Sequence, residues 1–194
     1  TKWYTKRKDF VTAQWLPDRL VSQIDAIGPD IVNLHWALGG WMQVETLPKI
    51  RQPTVWTMHD MWGLTGGCHY SRNCDRYLTG CGQCPILESQ HKWDMSRWGW
   101  RRKMRAWRNA DYTIVTPSRW LARCAEKSPI TKNAPTRVIA NGIETSTFRP
   151  HEKKFARSTF GLPLEKKLIL FGASNENEPN KGGHLLLCSS SDLI

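Results

Sequence analysis

The sequence has no run of about eighteen apolar residues, the length a membrane-spanning helix requires, which argues against a transmembrane segment. It also has no internal repeat and no low-complexity tract. No motif typical of nucleic-acid-binding domains is present, so no nucleic-acid partner is expected. No signal peptide is recognisable; because the chain begins at Thr1 rather than Met, we expect a further segment upstream.

Acidic residues are scarce relative to basic ones. The 194 residues include 28 lysines and arginines but only 17 aspartates and glutamates, giving a formal net charge of +11. This excess favours anionic partners, such as nucleotide or lipid phosphates, acidic glycans or nucleic acid, without choosing among them. Hydrophobic residues make up 40% of the chain, enough for a core, and 11 tryptophans exceed what packing requires. Some tryptophans should therefore lie on a cleft or surface.

Only six cysteines are present, and four of them cluster in an insert at residues 68–84. This distribution indicates a local site in a cytosolic protein better than a disulfide framework. The clustered residues are Cys68, Cys74, Cys81 and Cys84, in the spacing C-x5-C-x6-C-x2-C.

Four thiolates so close in sequence can form a tetrahedral zinc site, and the final C-x2-C pair has zinc-knuckle spacing. His69 can replace one of the cysteines. The alternative is two disulfides, or free buried thiols, that hold the loop. In each case we expect a structural staple rather than a catalyst, because four protein ligands leave no open position for a substrate.

Strand-like and helix-like segments alternate along the chain. Apolar spacing and capping residues predict helices at 16–27, 44–50, 94–110 and 118–127. Short β-rich runs predict strands at 31–35, 54–58, 112–116, 137–140 and 167–171. Short strands separated by helices favour an α/β fold, with a Rossmann-like doubly wound parallel sheet that has helices on both faces.

Three parts follow from this pattern. Residues 1–148 are expected to form the Rossmann-like domain, which contains the cysteine insert, and the polar stretch 149–165 reads as a linker. Residues 166–194 begin a second domain. About 30 residues are too few to bury a core of their own.

The predicted strands end in polar residues or turns, and ligands of such sheets bind beyond the carboxyl ends of the strands. His59 can exchange a hydrogen bond with a sugar hydroxyl or a phosphate, and neighbouring Asp60 can orient it. Gly66 and Gly67 allow backbone amides to approach a ligand. The alternative is a loop histidine satisfied by its neighbours. The other strand-end candidates are His35, for which packing is favoured, Ser118 and Asn141.

Basic residues occur beside aromatic residues in one further segment and beside glycines in another. Residues 97–108 alternate cations with aromatics and form a basic amphipathic helix, which can either lie on an anionic membrane or bury its aromatic face. The buried face, which is favoured, consists of Trp100, Met104 and Trp107. Later, Gly172 follows the strand at 167–171, and Lys181, Gly182 and Gly183 then open a helix, as in a diphosphate cradle.

These segments, in this order, resemble glycosyltransferase family 4. They are PDIVNLHW, PTVWTMHDMWGLTGGCHY, the insert ending in CGQCP, TPSRWLA, VIANGIETSTFRP and LILFGASNENEPNKGG. The cysteine-containing block is specific to one branch of the family. The resemblance implies a GT-B fold, in which two Rossmann-like domains face a cleft. It also implies transfer of a sugar from a nucleotide-sugar donor, generally with retention of configuration and without a catalytic metal.

Carried over by position, His59 matches the cleft histidine that contacts the transferred sugar and the donor phosphate. Lys181 matches the lysine that neutralises the leaving diphosphate, with Gly182 and Gly183 beside it. Where the family often has an arginine, this chain has Ala173. The family's N-terminal glycine-rich turn and its paired-glutamate motif are missing, so we expect an incomplete chain with little transferase activity by itself.

The resemblance predicts an enzyme domain that transfers a sugar to a glycan or a lipid-linked acceptor in polysaccharide synthesis. We expect a cytoplasmic protein with peripheral membrane contact and no metal other than structural zinc. Two alternatives stay open: a basic, zinc-stapled binding module for nucleic acid or anionic glycan, and an inactive gene remnant. The order of motifs favours the enzyme, since a binding module needs no Lys-Gly-Gly cradle.

Overall fold

The computed structural model of the chain describes residues 2–4, 10–37, 39–173, 175 and 181–190. They fall into two units, Thr1–Gly142 (unit 1) and Ile143–Ile194 (unit 2). The division comes a few residues before the linker expected at 149–165, and that stretch contains a helix of its own.

Unit 1 is built on a four-stranded parallel sheet whose strands follow one another in chain order. An antiparallel two-stranded ribbon precedes it. Each neighbouring pair within the sheet is parallel, and this confirms the predicted α/β fold. The strands are β1 (Lys2–Tyr4) and β2 (Phe10–Thr12) in the ribbon, then β3 (Val32–His35), β4 (Thr54–Thr57), β5 (Thr113–Thr116) and β6 (Thr136–Val138) in the sheet.

The helices begin and end at residues suited to those positions. The Asp94 carboxylate accepts the backbone N–H groups of Ser96 and Arg97 and so caps α2. The Ser118 hydroxyl caps α3 in the same way, as predicted, and α3 packs against β5 and β6. Gly28, with φ of 64°, ends α1. The helices are α1 (Leu20–Ile27), α2 (Met95–Trp107) and α3 (Arg119–Lys127) in unit 1, and α4 (Lys153–Thr159) and α5 (Gly183–Ser190) in unit 2.

Two predicted elements do not form as expected. The helix expected at 44–50 is reduced to a 3-10 turn at Leu47–Lys49, because Pro48 has no N–H group to donate. The strand expected at 167–171 is absent. The described part of unit 2 contains no other strand to pair with it, and an isolated strand leaves its backbone groups without partners.

Three buried tryptophans form the centre of unit 1. The Trp107 ring of α2 meets Trp56 of β4 edge-on, with ring centroids 5.2 Å apart, and lies 5.9 Å from Trp62. Trp100 and Met104 pack against the same core, which confirms the predicted buried face of α2. The expectation of surface tryptophans is also confirmed. The exposed ones are Trp15, Trp36, Trp41, Trp93, Trp98 and Trp120.

A fully buried lysine joins α2 to the loop that follows β4, residues 58–69, here the β4 loop. Lys103 Nζ donates hydrogen bonds to the backbone oxygens of Trp62 and Thr65, the latter at 3.0 Å. The same nitrogen lies 3.4 Å from the centroid of the Trp62 ring, a cation–π contact. Burial lowers the pKa of Lys103 to about 7. The ammonium therefore relies on this solvation by the protein.

Close packing of glycines brings the β4 loop against α2. A Cβ atom on Gly66 would lie 2.0 Å from the Ser96 backbone oxygen, and one on Gly99 would lie 2.2 Å from the Gly66 oxygen. Only residues without a side chain allow these two backbones to approach so closely.

Unit 2 differs from unit 1 in the burial of its hydrophobic side chains. None of its described hydrophobic side chains is buried. In the described part of the chain as a whole, no helix has the length and apolar character needed to cross a membrane.

We expect Gly66→Ala to lower the free energy of unfolding by about 1–3 kcal/mol, because the new methyl group forces the β4 loop away from the α2 backbone. Urea unfolding followed by tryptophan fluorescence measures this change. Gly142→Ala is the matched control: its Cβ meets no atom within 4 Å, so its stability should change by less than about 0.5 kcal/mol. Equal unfolding midpoints for the two variants would contradict the packing role of Gly66.

Candidate active site

Two histidines meet at the carboxyl edge of the sheet. His35 is the last residue of β3, and His59 follows the neighbouring strand β4. His35 Nδ1 and His59 Nε2 are 3.0 Å apart, and the rings stack with centroids 5.3 Å apart. One nitrogen donates and the other accepts, so this hydrogen bond orients both rings. His35 thus has an exposed pairing role, not the packing role favoured from the sequence.

Both rings have a nitrogen left for a ligand. The two side chains are exposed, and among the described residues neither His35 Nε2 nor His59 Nδ1 has a protein partner. A histidine can donate or accept a hydrogen bond near neutral pH. The pair can therefore bind a hydroxyl or a phosphate oxygen.

Asp60 has a structural role next to this pair. Its Oδ1 accepts the backbone N–H of Trp62 at 2.9 Å. Its Oδ2 accepts the indole N–H of Trp36 at 3.1 Å and Nδ1–H of His69 at 2.6 Å. The expectation that Asp60 orients His59 is not met. The carboxylate holds His69 and Trp36 instead.

His69 links the β4 loop to the antiparallel ribbon. While Nδ1 faces Asp60, Nε2 lies 3.0 Å from the Thr12 hydroxyl of β2. With Nδ1 protonated, Nε2 accepts the hydroxyl proton, so both ring nitrogens are used. His69 is therefore not available to replace a cysteine at a zinc site. The role of Thr12 has no signal in the sequence, because it lies 57 positions from His69.

Trp36 extends the site with an aromatic surface. Its backbone has φ of 40°, a left-handed conformation that is costly for a residue with a large side chain. The hydrogen bond to Asp60 holds the indole in place, with the ring centroid 6.2 Å from that of His69. Nearly half of the side chain is exposed. The strained backbone thus presents a flat apolar face beside the histidine pair.

The other strand-end candidates are placed differently. Gly66 and Gly67 are buried, and a Cβ on Gly67 would lie 2.6 Å from Val11 of β2. Their packing accounts for glycine at both positions. The Ser118 hydroxyl is occupied by capping α3. Asn141 is exposed near the end of unit 1.

The candidate donor-binding residues lie in unit 2. Gly172 is exposed, and no atom lies within 4 Å of where its Cβ would be. Lys181 is also exposed. Gly182 adopts a φ of 75°, which favours glycine, and Gly183 is the first residue of α5. The sequence Lys-Gly-Gly therefore opens a helix, as predicted.

Known proteins resemble this chain mainly over unit 1. The family model described as Glycosyltransferase Family 4 matches residues 1–147, more than half of the chain. The chain belongs to this family. A protein of Escherichia coli (strain K12), provisionally named colanic acid biosynthesis glycosyl transferase WcaC, is 25% identical over 134 residues.

That alignment covers 62% of this family 4 chain and 33% of the Escherichia coli protein. The chain thus spans about a third of the length of the curated relative it matches. No solved structure matches it.

Asp60→Ala should lower the free energy of unfolding by at least about 2 kcal/mol, because it leaves three N–H donors without their acceptor. Chemical denaturation of the purified family 4 protein measures the loss. Asp25→Ala, an exposed aspartate on α1, is the control and should shift stability by less than about 0.5 kcal/mol. Indistinguishable curves for the two variants would show that the network does not support the loop.

Proposed function

We propose that this family 4 domain acts in the transfer of a sugar from a nucleotide-sugar donor to a glycan or lipid-linked acceptor, with retention of anomeric configuration. The observation that carries the proposal is the exposed pair His35–His59 at the carboxyl edge of a parallel sheet. Ligands of α/β sheets bind at this edge. Membership of the family supports glycosyl transfer in general.

His59 is the proposed catalytic residue. Its Nε2 is held by His35, so Nδ1 is directed toward a ligand without further loss of side-chain freedom. A hydrogen-bonding group that is already oriented stabilises the charge that develops on the reacting sugar and the departing phosphate. The neighbouring face of Trp36 offers an apolar surface for a sugar ring.

The donor diphosphate is assigned to Lys181, Gly182, Gly183 and Gly172 on the family resemblance. Lys181 is exposed and adds a point charge next to the start of α5, where helix N–H groups favour an anion. The family often has an arginine at the position of Ala173. Alanine cannot bind phosphate through its side chain, so another residue would have to make that contact. The resemblance implies that no catalytic metal is needed, so we propose that these residues, together with the net positive charge of the chain, balance the charge of the leaving diphosphate.

We propose that the acceptor is an intermediate of polysaccharide synthesis. The name of the Escherichia coli relative assigns that protein to the synthesis of colanic acid. A lipid-linked acceptor is proposed because unit 1 has a surface suited to contact with a membrane. This tryptophan surface is an open apolar depression whose lining includes Trp15, Trp93, Met95 and Trp98.

Arginines surround the tryptophan surface. The guanidinium group of Arg101 lies 4.8 Å from the centroid of the Trp93 ring. Those of Arg97 and Arg102, 5.6 Å from Trp93 and 5.1 Å from Trp98, are also bonded to the Gly80 backbone and to Glu45. Tryptophan and arginine together suit the interface of an anionic membrane, where the ring sits among headgroups and the cation meets phosphate. We therefore propose peripheral contact with the cytoplasmic face of a membrane through this surface.

In the full-length protein, His59→Ala should lower turnover by more than about tenfold while the protein stays folded, because it removes a hydrogen bond made at the reacting sugar. The donor is first identified by calorimetric titration with a panel of nucleotide sugars, and turnover is then measured with that donor. His151→Ala, at an exposed site in unit 2, should retain full activity. Near-normal turnover of His59→Ala would remove its catalytic assignment. Failure of every nucleotide sugar to bind would favour a binding module instead.

Membrane contact is tested by sedimentation with lipid vesicles. The full-length protein should sediment with phosphatidylglycerol vesicles and much less with phosphatidylcholine vesicles, because the attraction is largely electrostatic. Replacing Trp93 and Trp98 by serine should weaken binding several-fold. Trp120→Ser removes an equally exposed tryptophan from α3 and should leave binding unchanged. Equal losses for both changes would mean that the tryptophan surface is not the contact.

A further inference from the structure

The four cysteines of the insert surround one small cavity. Its volume is about 20 Å³, room for a single small ion or one water molecule. None of the four thiols forms a disulfide. The cysteines that line the cavity are Cys68, Cys74, Cys81 and Cys84.

The turn that carries the last two cysteines, residues 80–84, is held rigidly from outside. The Arg97 guanidinium donates to the backbone oxygen of Gly80 at 2.9 Å, and the Asp94 carboxylate accepts the N–H of Cys84 at 2.8 Å. Gly82 has φ of 94°, and a Cβ there would lie 2.3 Å from a neighbouring backbone oxygen. The turn is thus fixed before any ligand binds.

Backbone N–H groups are directed at two of the sulfur atoms. Those of Ile86 and Leu87 donate to the Cys84 sulfur, and that of Gly66 donates to the Cys81 sulfur. Burial raises the pKa of both thiols, and these N–H groups act in the opposite direction, because they favour the thiolate form that binds a metal.

The buried amine of Lys103 lies near two of the cysteines. The Lys103 side chain is 1% exposed, and the thiols of Cys68 and Cys81 are within electrostatic range of its ammonium, as is the Asp60 carboxylate. Among the described residues, Lys103 forms no salt bridge with a carboxylate. A buried cation is costly without a nearby negative charge. A negatively charged centre at the cysteines would add to the charge of Asp60 and favour the protonated form of Lys103.

The four cysteines line the cavity, but their side chains do not converge on one point. Within the described ranges, no three His, Cys, Asp or Glu side chains stand in metal-binding geometry, whereas zinc needs sulfur at about 2.3 Å. A cysteine side chain has one heavy-atom torsion, and its staggered positions place the sulfur at different points. Zinc binding therefore requires rotation about that torsion to bring the sulfurs together.

We propose that Cys68, Cys74, Cys81 and Cys84 bind one zinc ion. Binding replaces four thiol protons by one Zn²⁺ without any change of oxidation state, and leaves a centre of net charge −2 next to the Lys103 ammonium. With four protein ligands the ion has no open position, so the site is structural. It ties the insert to the end of the β4 loop opposite His59.

The test measures metal in full-length protein made under reducing conditions. Mass spectrometry should find about one zinc per chain. Cys81→Ser combined with Cys84→Ser should lose the metal, whereas Cys188→Ser, at an exposed position outside the insert, should keep it. Because the double variant can fail to fold, the unaltered protein is also loaded with Co²⁺. Thiolate-to-cobalt charge transfer and the visible bands of tetrahedral cobalt should then appear, and a chelator should lower the unfolding temperature.

Three results would overturn the proposal. One is less than about half an equivalent of zinc with all six thiols reacting freely. Another is a mass two hydrogens lower for each cysteine pair, which shows disulfides in the native protein. The third is a protein that carries iron in place of zinc.

Discussion

The ammonium group of Lys103 holds the loop on which both candidate sites depend. It donates to the backbone oxygens of Trp62 and Thr65 and lies against the Trp62 ring, where α2 passes the β4 loop. A buried cation is tolerated there because carbonyl oxygens and an aromatic face replace its water. Separating the loop from α2 would break all of these contacts at once. The β4 loop is therefore held in place by contacts with the core.

The β4 loop carries different chemistry at its two ends. His59 lies at one end, exposed and paired with His35, and Cys68 lies at the other, on the wall of the cysteine cavity. Between them the chain is largely buried, and Asp60 is joined to Thr12 through His69. The β4 loop, which reads as one motif in the sequence, thus has three parts. His59 is exposed at one end, the middle is packed in the core, and Cys68 lies at the cavity at the other end. The packing gives the histidine pair a fixed base.

The large number of tryptophans reflects two separate demands. Trp56, Trp62 and Trp107 fill the core between the sheet and α2, where their rings meet at edge-on or tilted angles. Trp93 and Trp98, near the start of the same helix, face outward among arginines. One helix therefore supplies an aromatic face to the core and a basic aromatic surface to solvent. The two sets of tryptophans are separated because residues close together in sequence point to different faces of a helix.

The sequence by itself determined the parallel α/β fold, the cap of α3, and the position of His59 just after a strand. These features depend on residues close together in the chain, whose spacing and capping chemistry are visible in a single sequence. Only the tertiary structure decided that Asp60 holds His69 rather than His59, that Gly66 is a packing glycine, and that His35 bonds to His59. It also decided that residues 167–171 form no strand. Each of these outcomes depends on a partner distant in sequence, or on the absence of one among the described residues, and local patterns carry no information about such partners.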